Sequence, residues 1–188
     1  MLETGRFNCD WRSVLLRVST TTLIAAIGLV AIPANAQDMS AFKPGPVFPQ
    51  FGPHAPVAGI GQVPADTEFA IAFDVAKPAD EGTVNRGFES AARFINMHVA
   101  HGVPEDNIRI AVVVHGKAVM DLLARPDNTS ADMVQVMLGE GVRFIVCGQS
   151  AAAYGVKQED LLPGVEMALS AMTAHALLQQ RGYTVNPF

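Results

Sequence analysis

The chain predicts an α/β fold, a three-layer α/β/α arrangement around a mostly parallel five-stranded sheet. Three observations lead there. Short apolar runs bounded by glycine and proline alternate with stretches whose apolar residues recur every three or four positions, the pattern of strands alternating with helices. The runs Ile110 to Val114 and Phe144 to Cys147 are continuously apolar, as strands buried on both faces must be. Finally, 49% of the 188 residues are hydrophobic and only 16% are charged, so most of the apolar content has to be buried, and one domain is the natural count.

The first 36 residues read as a targeting segment. Arg6, Arg12 and Arg17 precede or border an apolar core from Leu23 to Ile32, and Ala34-Asn35-Ala36 is a small-x-small cleavage signal before Gln37. A retained anchor needs about 20 apolar residues, whereas Val18 to Ile32 is shorter and contains three threonines and a serine. The expectation is cleavage after Ala36 and a periplasmic or secreted protein with no membrane attachment. Cleavage leaves ten Lys and Arg against sixteen Asp and Glu, and it removes Cys9.

Residues 37–66 form a proline-rich arm. Pro44, Pro46, Pro49, Pro53, Pro56 and Pro64 exclude a helix or a central strand, because proline fixes φ and lacks an N–H donor. Phe42, Val47, Phe48 and Phe51 lie between the prolines. They suit an arm packed on its own domain or on a neighbouring subunit, with a free leader as the competing reading.

Residues 67–188 carry the α/β domain. Glu68 to Val75 alternates large apolar with small or charged residues and forms the first strand. Val84, Phe88, Ala91, Ile95 and Val99 define an amphipathic helix, with Thr83 as the expected cap and Gly102 as the stop. His98 and His101 sit in its last turn, where the helix dipole favours histidine; without a third ligand nearby they are weak metal candidates. Ile108 to Val114 is the second strand. Ala118 to Ala124 and Ala131 to Glu140 read as helices split by Arg125-Pro126-Asp127-Asn128, and Asn128-Thr129-Ser130 as a surface turn despite its glycosylation pattern. A third strand ends at Cys147. Glu166 to Ser170, Met172 to Arg181 and Tyr183 to Val185 complete the pattern as strand, helix and strand.

Cys147 is the residue with the clearest chemistry. It stands where a buried strand gives way to small residues opening a helix, and in open α/β sheets ligands gather at the carboxyl ends of the strands. Helix N-terminal amides favour thiolate over thiol. His115 and Lys117 follow the second strand and belong to the same sheet edge, so either can stabilise a thiolate. Gly116, Gly148, Gln149 and Ser150 flank these positions and are the expected binding residues. The opposing reading is a buried, inert thiol, since free cysteine is among the most buried residue types.

The segment Gly141 to Val156, with Cys147 and Ser150-Ala151-Ala152, resembles the active-cysteine segment of the DsrE/DsrF sulfur-relay family. The resemblance runs from about Glu68 to Tyr183 and takes in Val113-Val114-His115-Gly116, Leu161-Leu162-Pro163-Gly164-Val165 and Gln179-Gln180-Arg181-Gly182-Tyr183. It implies a flavodoxin- or Rossmann-like sheet, a persulfide-carrying Cys147, a homo-oligomer of trimer or hexamer type, no cofactor, and sulfur exchange with donor and acceptor thiols. The family members compared work in the cytoplasm, so partners of an exported member do not carry over. The alternative is a non-catalytic binding or assembly module of the same fold.

Other classes fit poorly. The net charge of −5 without a basic run argues against nucleic acid. Gly116-Lys117 ends like a phosphate loop, but Val112 and Ala118 replace the residues that motif requires. Gly148-Gln149-Ser150-Ala151-Ala152 loosely resembles a serine nucleophile elbow, with Asp160 and His175 following in hydrolase order, yet alanine stands where glycine is usual.

Overall fold

A computed structural model describes residues 38–61 and 63–186, so the segment read as a signal peptide, 1–36, lies outside the described residues. Five strands, β1 (Phe69–Val75), β2 (Ile108–Val114), β3 (Arg143–Cys147), β4 (Glu166–Ala168) and β5 (Thr184–Asn186), form one sheet in the order β4-β3-β2-β1-β5. Every pairing is parallel, so the sheet is wholly rather than mostly parallel. Among the described residues four α-helices accompany it: α1 (Arg86–Ala100), α2 (Ala131–Gly139), α3 (Gly148–Ala153) and α4 (Ala171–Gln180).

The strand order decides which face each helix covers. From β1 to β4 the chain steps in one direction across the sheet, and right-handed crossovers put the intervening segments on one face. The return from β4 to β5, at the far edge, reverses direction and puts α4 on the other. The core divides accordingly. Phe73, Val75, Val112, Val114, Phe144 and Val146 pack with α1 and α2 on the first face. Phe88 of α1 meets Phe144 of β3 edge to face, with ring centroids 5.2 Å apart. Ala72, Ala111, Val113 and Ile145 look the other way and pack under Ala174 and Leu178 of α4. Here the strand residues are smaller and the cover is a single helix.

Several local expectations shift. The cap of α1 is Asn85, not Thr83: the buried Asn85 accepts from the N–H of Gly87 and Phe88, while Thr83 donates to the Asp80 carbonyl. Asn85 prevails because its amide also donates to Lys77 and Asp121, anchoring the cap inside the fold. The segment after β2 is a 3₁₀ helix over Gly116–Leu122 rather than an α-helix from Ala118. β4 stops at Ala168 because Ser170 turns to cap α4, accepting from the Thr173 N–H at 3.0 Å. The Asn128 amide donates to the Asp121 and Leu123 carbonyls, and the buried Ser130 hydroxyl accepts from the Asn85 N–H, so this stretch is a structural turn. His98 and His101 each place Nδ1 against the carbonyl four residues earlier.

The arm packs on its own domain. Phe48 is fully buried in the main core. Asn96, on the buried face of α1, accepts from the N–H groups of Val47 and Phe48 and donates to the carbonyls of Phe48, Phe51 and Gly52. A backbone without regular structure needs such a partner wherever it is buried. Gly52 is in the left-handed region at φ +58°, and a Cβ there would lie 2.3 Å from the Arg93 nitrogen, so only glycine permits this approach.

Candidate functional site

Cys147 ends β3 with extended backbone, and Gly148 starts α3 directly behind it. The tight step requires glycine: a Cβ on Gly148 would lie 2.7 Å from the Ala168 carbonyl oxygen of β4. Side chains alternate along a strand, so Cys147 shares the α4 face with Ile145. The residue is nearly covered, at 6% exposure.

Burial by itself raises a thiol's pKa. Around Cys147 that effect is outweighed by the Ser150 hydroxyl and by the backbone amides of Ser150, Ala171 and Gln149, which hold the pKa below the ordinary thiol value. None of these amides closes a cap hydrogen bond of ordinary geometry to the sulfur; they act as nearby positive dipole ends. Ser150 is oriented for its part. Its oxygen accepts the Gly116 N–H at 2.9 Å, leaving the hydroxyl proton for the sulfur.

The placement of the sequence-derived candidates is mixed. Gly116, Gln149 and Ser150 come together around Cys147 as just described, and Gly148 provides the close turn. The Gln149 side chain, however, donates to the Leu169 carbonyl at 3.2 Å. Lys117 is exposed, and no charged side chain is among the causes that shift the thiol. His115 is turned to Asp74: its Nε2 lies 3.2 Å from Asp74 Oδ2. Asp160 accepts from the Lys157 N–H at 2.8 Å in a separate turn, and His175 bonds Asp74 instead. The serine-elbow reading therefore loses its acid.

Sequence reasoning missed Asp74, and it met His175 only in that hydrolase reading. Asp74 is the charged residue in the alternation of β1, on the same face as Ala72, Val113 and Ile145. Its two oxygens take both imidazoles, His175 Nε2 on Oδ1 at 2.8 Å and His115 Nε2 on Oδ2 at 3.2 Å. Burial opposes its ionisation, but the bonds from His175 and His115 prevail and hold the carboxyl below the usual range. A polar residue interrupting the small-residue face of a buried strand was the available signal.

A parallel α/β sheet with one thiol set among amides at its carboxyl edge defines a thiol-bearing α/β protein. The DsrE/DsrF-like family model matches residues 68–187. The chain belongs to that family. Among solved structures, a protein of unknown function from Methanobacterium thermoautotrophicum is similar at 24% identity and TM-score 0.49, over 64% of this chain and 100% of that one. The YchN protein of E. coli is similar at 19% identity and TM-score 0.44, over the same shares. A search of curated proteins found no match.

Proposed function

We propose that this protein is an exported sulfur carrier of the sulfurtransferase type, in which Cys147 holds sulfane sulfur as a persulfide. The observation that carries this reading is the thiol's surroundings. A packing cysteine sits among apolar groups that raise its pKa, whereas Cys147 is buried among three amides and a hydroxyl that lower it. The thiolate attacks the outer sulfur of a hydropersulfide or polysulfide donor. One S–S bond forms to Cys147 Sγ, the donor's S–S bond breaks with its electron pair on the departing thiolate, and the reverse exchange delivers sulfur to an acceptor thiol.

Intact-mass spectrometry after exposure to polysulfide tests it. The expected result is a gain of one sulfur atom, removed by cyanide and absent in Cys147→Ser. The 6% exposure of Cys147 favours a second reading, a binding or assembly module with an inert thiol. If Cys147 is alkylated only after denaturation, that reading replaces the first.

Two further parts of the proposal rest on other observations. Export rests on the apolar segment and Ala34-Asn35-Ala36; N-terminal sequencing of the native protein should begin at Gln37, and a start at Met1 overturns it. Homo-oligomerisation rests on the thin cover of the second sheet face, where Leu169 and Met172 are 72% and 79% exposed beside the site. Sedimentation should show a trimer or hexamer that Leu169→Asp dissociates; a monomeric wild-type protein at micromolar concentration counts against it.

A further inference from the structure

We propose that Asp74 and His175 are positioning residues that make His115 the proton acceptor for the Cys147 thiol. This rests on the reading of Cys147 as the reactive group and adds the route of its proton. The geometry carries it. Along β2 and β3, Val113 pairs with Ile145 and Val114 with Val146, so the next position sets His115 opposite Cys147, one strand spacing of about 4.8 Å away. His115 keeps extended backbone and thus presents its side chain on the face that Val113, Ile145 and Cys147 share. The turn is pinned to the thiol's helix, because the adjacent Gly116 donates to Ser150.

A carboxylate only accepts hydrogen bonds. Asp74 therefore receives Nε2–H from both rings, which leaves Nδ1 as the free nitrogen of each. On His175 that nitrogen is buried without a partner, so this ring serves to fix the second carboxylate oxygen. On His115, a third exposed, Nδ1 has no protein partner among the described residues. An acid that orients one imidazole toward a nucleophile is the arrangement of hydrolytic triads, with a thiol here and a second histidine behind the acid.

The step balances as follows. Cys147 Sγ–H gives its proton to His115 Nδ1. The thiolate attacks the outer sulfur of a donor R–S–SH, forming Cys147–S–SH and releasing R–S⁻, and the proton on His115 passes to R–S⁻. Overall a thiol and a hydropersulfide exchange one sulfur atom, with no net redox change.

At the carboxyl end of this face the titratable groups are Asp74 from β1, His115 after β2, Cys147 from β3 and His175 from α4; nearer the other end, Arg109 of β2 and the Arg143–Glu166 ion pair of β3 and β4 share the face, and Lys117 is exposed and forms no ion pair among the described residues. This census makes the test one of sign. Simple electrostatics says that neutralising Asp74 removes an anion near the thiolate and lowers the thiol's titration midpoint. The proposed role says the opposite, since His115 loses the group that turns its free nitrogen toward the thiol.

The experiment is the pH profile of iodoacetamide alkylation of Cys147 in the purified protein, which needs no sulfur donor. Asp74→Asn is expected to raise the midpoint, by about a unit, so that alkylation near pH 6 slows about tenfold. In a His115→Gln background the same substitution is expected to raise the midpoint no further, leaving it unchanged or, through the lost anion alone, lowered. A midpoint that stays or falls overturns the proposal. Should Asp74→Asn fail to fold, His115→Gln alone must raise the midpoint, and an unchanged or lowered one is again decisive against it. A raised midpoint in a protein that gains no sulfur from polysulfide retires the carrier reading while supporting this one.

Discussion

Replacing Asn96 with alanine tests how the arm is held. Asn96 is fully buried and makes five hydrogen bonds to arm backbone. Alanine strands the N–H of Phe48, which is buried, and that of Val47, which reaches water in part. A buried polar group left without a partner costs about 1–3 kcal/mol, so a loss of ~2–4 kcal/mol is expected, a large part of the roughly 5–15 kcal/mol that holds a typical domain together. Urea unfolding reads the loss, and limited proteolysis reads the arm, which should become cleavable between Phe42 and Pro56. Asn96→Asp keeps the acceptor but turns an oxygen toward three carbonyls, so it should be no milder than alanine and should improve as the carboxyl is protonated in acid. A loss below about 0.5 kcal/mol with the arm still protected would refute the reasoning, because Asn96 would then be dispensable to docking.

Two further outcomes follow from the structure. Gly148→Ala places a Cβ 2.7 Å from a backbone oxygen that cannot rotate away; a loss of about 1–3 kcal/mol is expected in thermal or urea unfolding, together with slower alkylation of Cys147 as α3 shifts its amides, and a variant as stable and reactive as the parent counts against the tight step. His54, itself part of the arm, is buried with both ring nitrogens unpartnered, and burial, Lys43 and His101 hold its pKa down. Its stabilising contribution is therefore full above about pH 6.5, the unfolded value, and is lost as the pH falls through the lower folded value. His54→Leu should flatten the acid limb of a stability-against-pH curve, and an unchanged limb would show that His54 does not set it.

The alternation and continuity of apolar residues located each strand to within a residue or two, and most sharply β2 and β3, since a strand buried on both faces has few compositions open to it. Cys147 was legible for the same reason: a lone thiol where a buried strand meets small residues, in a segment resembling a known family. Its actual environment was not. The amide of Ala171 reaches the sulfur from α4, and α4 is there because the chain returns from β4 to the far edge of the sheet, a property of strand order that no local pattern encodes. Asp74, His115 and His175 are separated by 41 and 101 residues along the chain from Asp74, so only parallel pairing and the α4 crossover bring them together. The arm divides in the same way. Its prolines excluded regular structure, but its docking drew on side chains distant in the chain, above all the Asn96 amide, whose five partners lie 44 to 49 residues away. Local sequence sets periodicity and backbone conformation, whereas contacts between distant polar side chains exist only once the sheet order has been chosen.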